Sequence, residues 1–480
     1  MSDSSFEIDY SPKPSTLDEV EASLRLPVLH SVLAAAFWLV VGSALLLVST
    51  IQLTGSGLFA DSGFLTYGKT KPAAWIALLY GFALQMGIAV ALFVVCRRSK
   101  KALRHPFTVF VASKFWNLGV VLGIVGVYLG HSTGHRLFEL PVYSSSVLFM
   151  AFAVIALKLM LVLHYRVERQ MYIGQLYMGA AMFWFLWALS TAIILLQICP
   201  VPGAVQLVVD NWYINAVFQV VLGCFGLGAL CYFLPQQSGR PLFSQELATA
   251  AFWMLVFIGG WTGLAGRWPL PVWISSVSVS AGFMMIVPVV AVVWNLLKSI
   301  QTKDLPGNNT LKFLVGGLFA YLVWSLLGVI YGFPAISDLL QFTHYETGAQ
   351  VLFVFGFIGL VTLGGCTVIL PRLTQQSWGR NGCSMVLRAI TAGTALATVA
   401  FMLAGLFQGG QLANPDAAFM ASVAEATKLL WIAAAGLVLL LVGAVMFLVG
   451  TGMLIGKSIM AAFPVATWFC EPTAEEGTAR

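Results

Sequence analysis

Apolar runs about twenty residues long recur along the whole of this 480-residue chain, and no extended polar domain interrupts them. A helix needs roughly 20 such residues to cross the hydrocarbon core of a bilayer. Backbone groups in lipid must be paired internally, so the choice lies between a helical bundle and a closed barrel. A barrel would need alternating strands of about ten residues, a pattern the sequence lacks. The expectation is an all-α, polytopic membrane protein of about twelve transmembrane helices. Helices 1, 7 and 8 are expected near 29–52, 246–265 and 271–297. The simplest partition is a cytoplasmic tail at 1–25, a single membrane domain at 26–456 and a C-terminal tail at 457–480.

Composition supports this reading: 59% of the residues are hydrophobic and only 9% are charged. The first 25 residues carry acids and prolines instead of a basic region feeding an apolar run, which reads as a tail and not a cleaved signal. Basic residues gather in alternate loops, as in Arg97, Arg98, Lys100, Lys101 and Arg104, then Arg166 and Arg169, then Lys298, Lys303 and Lys312. The positive-inside rule makes that side cytoplasmic. Both termini then fall in the cytoplasm, and the expected location is a bacterial inner membrane. The net charge of +6 is spread over several loops, not one strip, which argues against a nucleic-acid partner. The seven cysteines are scattered without a C-x-x-C pair and read as small apolar fillers.

Several segments in order carry a family likeness: FLTYGKTKP (64–72), KFWNLGVVLGIVGVYLGHSTGHRLFELP (114–141), NWYINAV (211–217), YFLPQQSGRP (232–241), GRPLFSQELATAAFWMLVFIGGWTGLAGRWPLPVW (239–273) and HYETGAQVLFVFGFIGLVTLGGCTVILPRL (344–373). Together they resemble the heme-copper oxidase subunit I superfamily, most nearly the catalytic subunit of cbb-type cytochrome c oxidases. The resemblance implies a twelve-helix bundle with heme b and copper held by inward histidines. Position by position, however, this chain departs from the pattern. The low-spin heme histidine of helix 2 falls at Ala73, Ala74 or Trp75, and the His-x-His of helix 10 falls at Ala349 and Val351. The copper pair after helix 7 falls at Ala265 and Gly266, following Leu264, and the third copper histidine at Ile214 or Asn215. The cross-linked tyrosine of helix 8 falls near Ala281.

The histidines that exist lie elsewhere. His131 and His135, spaced i, i+4 near Glu139, form a weak surface metal candidate; the bland alternative is two solvated loop residues. Lys114, Lys158 and Glu246 sit near helix ends and read as snorkelling groups. Ser275, Ser276, Ser278 and Ser280 read as hydroxyls bonding their own backbone or a neighbouring helix, with a residual polar path as the alternative. Met150, Met284 and Met285 read as packing residues, and Trp75 as the best candidate to fill the low-spin heme space.

The functional expectation is a subunit I-like protein with no heme or copper of its own, acting as a non-catalytic scaffold. Its partners would be other respiratory-complex subunits, c-type cytochromes among them, and the lipid bilayer. The segments 131–141, 200–212 and 332–346 are the expected docking surface, with Arg136, Glu139, Asp210 and Asp338 as contact charges. The alternatives are an active terminal oxidase or nitric oxide reductase-type subunit, and a proton-conducting or transport subunit.

Overall fold

The computed structural model describes residues 14–462, apart from 56, 59, 60, 265–268 and 417. Eleven helices are long and apolar enough to cross a membrane. We label the bundle α1 (Leu17–Gln52), α2 (Tyr67–Ser99), α3 (Pro106–Tyr128), α4 (Val142–His164), α5 (Ile173–Ile198), α6 (Ala204–Ser238), α7 (Gln245–Gly259), α8 (Val272–Lys298), α9 (Asn309–Tyr331), α10 (His344–Thr374), α11 (Arg380–Leu412) and α12 (Phe419–Ala462). The expected all-α, multi-pass membrane architecture is therefore what the chain forms.

Three details differ from the sequence reading. Helix α1 begins at Leu17, so part of the expected tail is helical. A capping box explains the early start: the Thr16 hydroxyl accepts from the Glu19 amide, and the Glu19 carboxylate accepts from the Thr16 amide. Helix α7 is only 15 residues long and ends at Gly259 instead of reaching 265. Helix α8 breaks at Met285, where Pro288 has no N–H to bond back to Met284.

Helices α2, α6 and α10 form the centre. The most apolar stretch of α2 is wholly buried and those of α6 and α10 are 94% buried, against 39–50% for the other long helices. A helix buried all round must be apolar all round, and these three have almost no polar face. They meet through small residues and flat rings. On α6, the Phe225 ring lies against Gly87 of α2, while the neighbouring Gly226 receives the Phe357 ring of α10. A Cβ built on Gly226 would stand 2.3 Å from that ring. The third side closes where Met86 Sδ of α2 lies 3.6 Å from Cys366 Sγ of α10. Each central helix also carries a π-helical stretch, at Ala77–Leu84, Ala216–Leu222 and Leu352–Gly359, a feature often found beside functional sites.

The outer helices wrap this core, with α12 lying along α11 and α1. At the end of the bundle rich in basic loops, cations are tied to acids: Arg97 pairs with Glu21, and Lys100 with Glu168 at 2.9 Å.

The glycine contact gives a direct test. Gly226→Ala should destabilise the solubilised bundle by about 1–3 kcal/mol, the usual range for overpacking. Gly282→Ala on α8, where a Cβ meets nothing within 4 Å, should be neutral or slightly stabilising. Thermal melts of the two variants in one detergent would separate these outcomes, and equal melting temperatures would contradict the packing account.

Candidate functional site

At the end of the bundle opposite the basic loops, α6, α9 and α10 splay around a cavity of about 210 Å³. Its walls include Ile214, Asn215, Phe218, Gly263, Trp324 and Ala349. The structure thus brings together positions that the sequence comparison assigned separately: Ile214 and Asn215 for copper, and Ala349 for a heme iron. Leu264 directly follows Gly263 of the wall. Ala265 and Gly266 lie outside the described residues.

Asn215 cross-links two elements here. Its Nδ2 donates to the Gly259 carbonyl at 2.8 Å, and its Oδ1 accepts from Thr262 Oγ1 at 2.8 Å. Gly263 has a φ of +95°, and a Cβ there would stand 2.7 Å from Asn215 Cβ, so glycine alone suits both the backbone and the close approach. The Leu264 amide then donates to Ser278 Oγ of α8 at 2.9 Å. The segment after α7 is therefore fastened to α6 and α8 by neutral hydrogen bonds.

Aromatic rings occupy the space beneath the cavity. Phe353 of α10, fully buried, lies between Phe218 of α6 at 5.2 Å and Trp324 of α9 at 4.4 Å, centroid to centroid. One turn further along, Phe357 meets Tyr321 of α9 at 4.7 Å. These rings were not singled out from the sequence, although Phe353 stands four residues after Ala349 and so shares its helical face. Trp75, the expected filler, is buried within the bundle at 2% exposure, with its indole nitrogen unpaired among the described residues.

The residues present fit neither iron nor copper. Among the described residues the cavity wall offers carboxamides, aromatic rings, aliphatic carbons, Arg136, Glu346 and the hydroxyls of Tyr331 and Tyr345, with no imidazole or sulfur, whereas copper favours imidazole or sulfur and heme iron takes an axial His, Cys or Met, or a Tyr free to ligate it. Of the wall's tyrosines, Tyr331 donates to Glu346 at 3.3 Å. Glu346 is in turn paired with Arg136. Ala74 and Val351 are both fully buried, and an aliphatic side chain cannot ligate metal. The cavity, at about 210 Å³, is also smaller than the roughly 300–1,000 Å³ of pockets that bury drug-sized ligands. Among the described residues no three His, Cys, Asp or Glu side chains are grouped to hold a metal.

His131 and His135 are engaged by different elements. His131 Nδ1 lies 3.2 Å from the Tyr143 hydroxyl, and His135 Nδ1 lies 3.7 Å from Asp210 Oδ1. Ser276 and Ser280 bond the carbonyls of Val272 and Ser276, as expected. Met285 packs in the core, but Met150 and Met284 are 63% and 54% exposed and face outward, a correction to their reading as packing residues.

Three of the four expected docking charges are engaged or shielded within the chain itself. Arg136 is paired with Glu346, Asp210 adjoins His135 with little exposure, and Glu139 is largely buried. Loop residues 137–140 fold inward because Phe138 packs at a tilt against Tyr213, 4.8 Å between centroids, and Tyr80 donates to the Leu137 carbonyl at 3.3 Å. Burial pushes the Glu139 carboxyl up to about 7; the charge of Asp210 adds to the shift, while the amides of Glu139 and Leu137 and the Lys71 ammonium oppose it.

The sequence is similar to known oxidase subunits. A family described as cytochrome C and quinol oxidase polypeptide I matches residues 27–466. The cytochrome c oxidase subunit 1 of Rhodobacter capsulatus is 24% identical over 435 residues, covering 85% of this chain and 79% of that protein. The cbb3-type cytochrome c oxidase subunit CcoN1 of Stutzerimonas stutzeri is 23% identical over 393 residues, covering 78% of this chain and 81% of that protein. In three dimensions, a heme-copper terminal oxidase dimer solved by cryo-EM superposes with a TM-score of 0.71 at 14% identity, over 91% of this chain and 84% of that one.

Two measurements probe the site. Asn215→Leu keeps the volume but removes both hydrogen bonds, and should cost about 1–3 kcal/mol in a thermal melt; an unchanged melt would show that the cross-link is not needed. Glu139 gives a pH dependence. Its folded value, about 7, lies above the ordinary 4.5, so its contribution is present below about pH 4.5 and is lost as pH rises towards 7. The protein should therefore lose up to a few kcal/mol across that window, and Glu139→Gln should flatten the decline. Parallel stability curves for the two proteins would contradict the burial argument.

Proposed function

The chain belongs to the cytochrome c and quinol oxidase polypeptide I family, and from that premise we propose that it is a cbb-type subunit I homologue whose heme and copper ligands have been replaced. In this reading it serves as a non-catalytic scaffold of a respiratory electron-transfer complex. The observation that carries the proposal is the convergence of Ile214, Asn215 and Ala349 on one cavity whose wall has no imidazole or sulfur donor. Copper in the family would join α6 to the segment after α7. Here the Asn215 carboxamide makes that junction, using both its donor and its acceptor.

The filled space beneath the cavity supports the same reading. Loss of a macrocycle without a filler would leave a void costing tens of cal/mol per Å³. Phe218, Phe353 and Trp324 lie together there. A bundle that keeps its packing after giving up its ligands keeps its outer surface, and that surface is what a scaffold offers. The proposed setting is a bacterial inner membrane with the basic loops in the cytoplasm. The partners would be other subunits of a respiratory complex, c-type cytochromes among them, meeting the chain by its lipid-facing and loop surfaces more than by the tied charges around Glu139.

A visible absorption spectrum of the purified chain tests this. The proposal expects no Soret band once co-purifying cytochromes are removed. A Soret band with near-stoichiometric heme in this chain alone would overturn it and restore the active-oxidase alternative.

A further inference from the structure

On the basic end of the bundle lies a pocket of about 590 Å³ lined by Lys101, Arg104, His105, Lys158, Leu161 and Tyr165, together with Ala102 and Val162. No carboxylate is among its lining residues. Three nearby cations are engaged: Arg97 pairs with Glu21, Lys100 with Glu168, and Arg166 donates to the carbonyls of Leu163 and Arg169. Arg104 and Lys158, by contrast, have no hydrogen-bond or ion-pair partner among the described residues, yet both line one concavity. Holding two cations at one site without a counter-charge is unfavourable unless an anion completes it.

The pocket is preformed. The loop from α2 to α3 is held by the Ala102 amide donating to Ser15 Oγ at 3.2 Å and by the Leu103 amide donating to Ser23 Oγ at 3.0 Å. His105 precedes Pro106, where α3 begins, so the positive end of a 23-residue helix dipole adjoins the cations. Lys158 lies six residues before the end of α4, about 9 Å along the axis. That depth places its ammonium where a long stem reaches from the acyl region to the headgroups. Leu157, Leu161 and Tyr165 follow at i, i+4, i+8 on one face of α4 and are 61%, 41% and 52% exposed. An apolar track therefore runs along the bundle beside the cationic pocket.

We propose that this pocket binds an anionic phospholipid, with Arg104 and Lys158 on its phosphate and its acyl chain along Leu157 and Leu161. Basic pockets between membrane helices suit such headgroups. The apolar track is what distinguishes a lipid from a soluble phosphate, which would have no use for it. The inference is independent of the metal question, since none of these residues touches the cavity between α6, α9 and α10.

The test uses delipidated full-length protein in a neutral detergent, titrated with dioleoylphosphatidylglycerol or dioleoylphosphatidylcholine, with bound lipid counted by native mass spectrometry. Wild-type protein should retain the phosphatidylglycerol in preference to the phosphatidylcholine. The Arg104→Gln/Lys158→Gln double variant should bind it on the order of 30-fold more weakly, as expected for two interfacial cations. Lys312→Gln, at the same end but outside the pocket, should leave binding unchanged. Helical circular dichroism of each variant controls for folding, and single variants at Arg104 and Lys158 stand in if the double variant fails to fold. Equal retention by wild type and the pocket variants, or equal binding of both lipids, would overturn the proposal. Displacement of the lipid by millimolar inorganic phosphate would also overturn it, by showing a soluble phosphate to be the better occupant.

Discussion

The rest of the structure depends on three helices whose apolar central stretches are buried and pack closely against one another. In lipid there is little hydrophobic gain from bringing helices together, so close van der Waals contact must hold them. Small residues make that contact possible: Gly226 admits the Phe357 ring, and Gly87 admits Phe225. The outer helices are only about half buried, and their outward faces are free to be as apolar as the bilayer itself. Because α2, α6 and α10 are fixed relative to one another, whatever sits between their ends is held in a fixed geometry too.

That rigidity is what would let the family architecture survive the change of chemistry proposed above. Metal ligands in such a bundle act as cross-links between helices as well as reactive groups. In this chain a carboxamide on α6 and a hydroxyl after α7 form a neutral cross-link, and aromatic side chains from three helices meet beneath the cavity. The polar groups near the cavity mouth are drawn into pairs of their own, Arg136 with Glu346 and Tyr331 with Glu346. The first pair ties the loop after α3 to α10, and the second ties α9 to it.

Much of the architecture was legible in the sequence because a membrane helix announces itself by length and composition alone. The all-α bundle and its basic end follow from run length and loop charge, and the family from ordered fragments such as NWYINAV and YFLPQQSGRP. What was not legible required knowing which side chains meet. The short α7 was overextended because Trp261 and Leu264 are apolar, although the chain turns at Gly260. The Thr16 capping box was read as tail because its acids outweighed its cap signal. At the site, the ligand positions could be counted but the neighbours of Phe353 could not, since it owes its place to Phe218 and Trp324, from helices far away in the chain. Glu139 was read as exposed because nothing local shows that Phe138 packs against Tyr213 and draws the loop inward.

The central claim is that side chains, and not a macrocycle, occupy the space between α6, α9 and α10. A cryo-EM map of the purified protein, at a resolution that shows side chains, reads this directly. The account predicts ring density for Phe218, Phe353 and Trp324 in mutual contact, and continuous density from Asn215 to Thr262. Flat density of porphyrin size between these helices, with the three rings displaced, would contradict it.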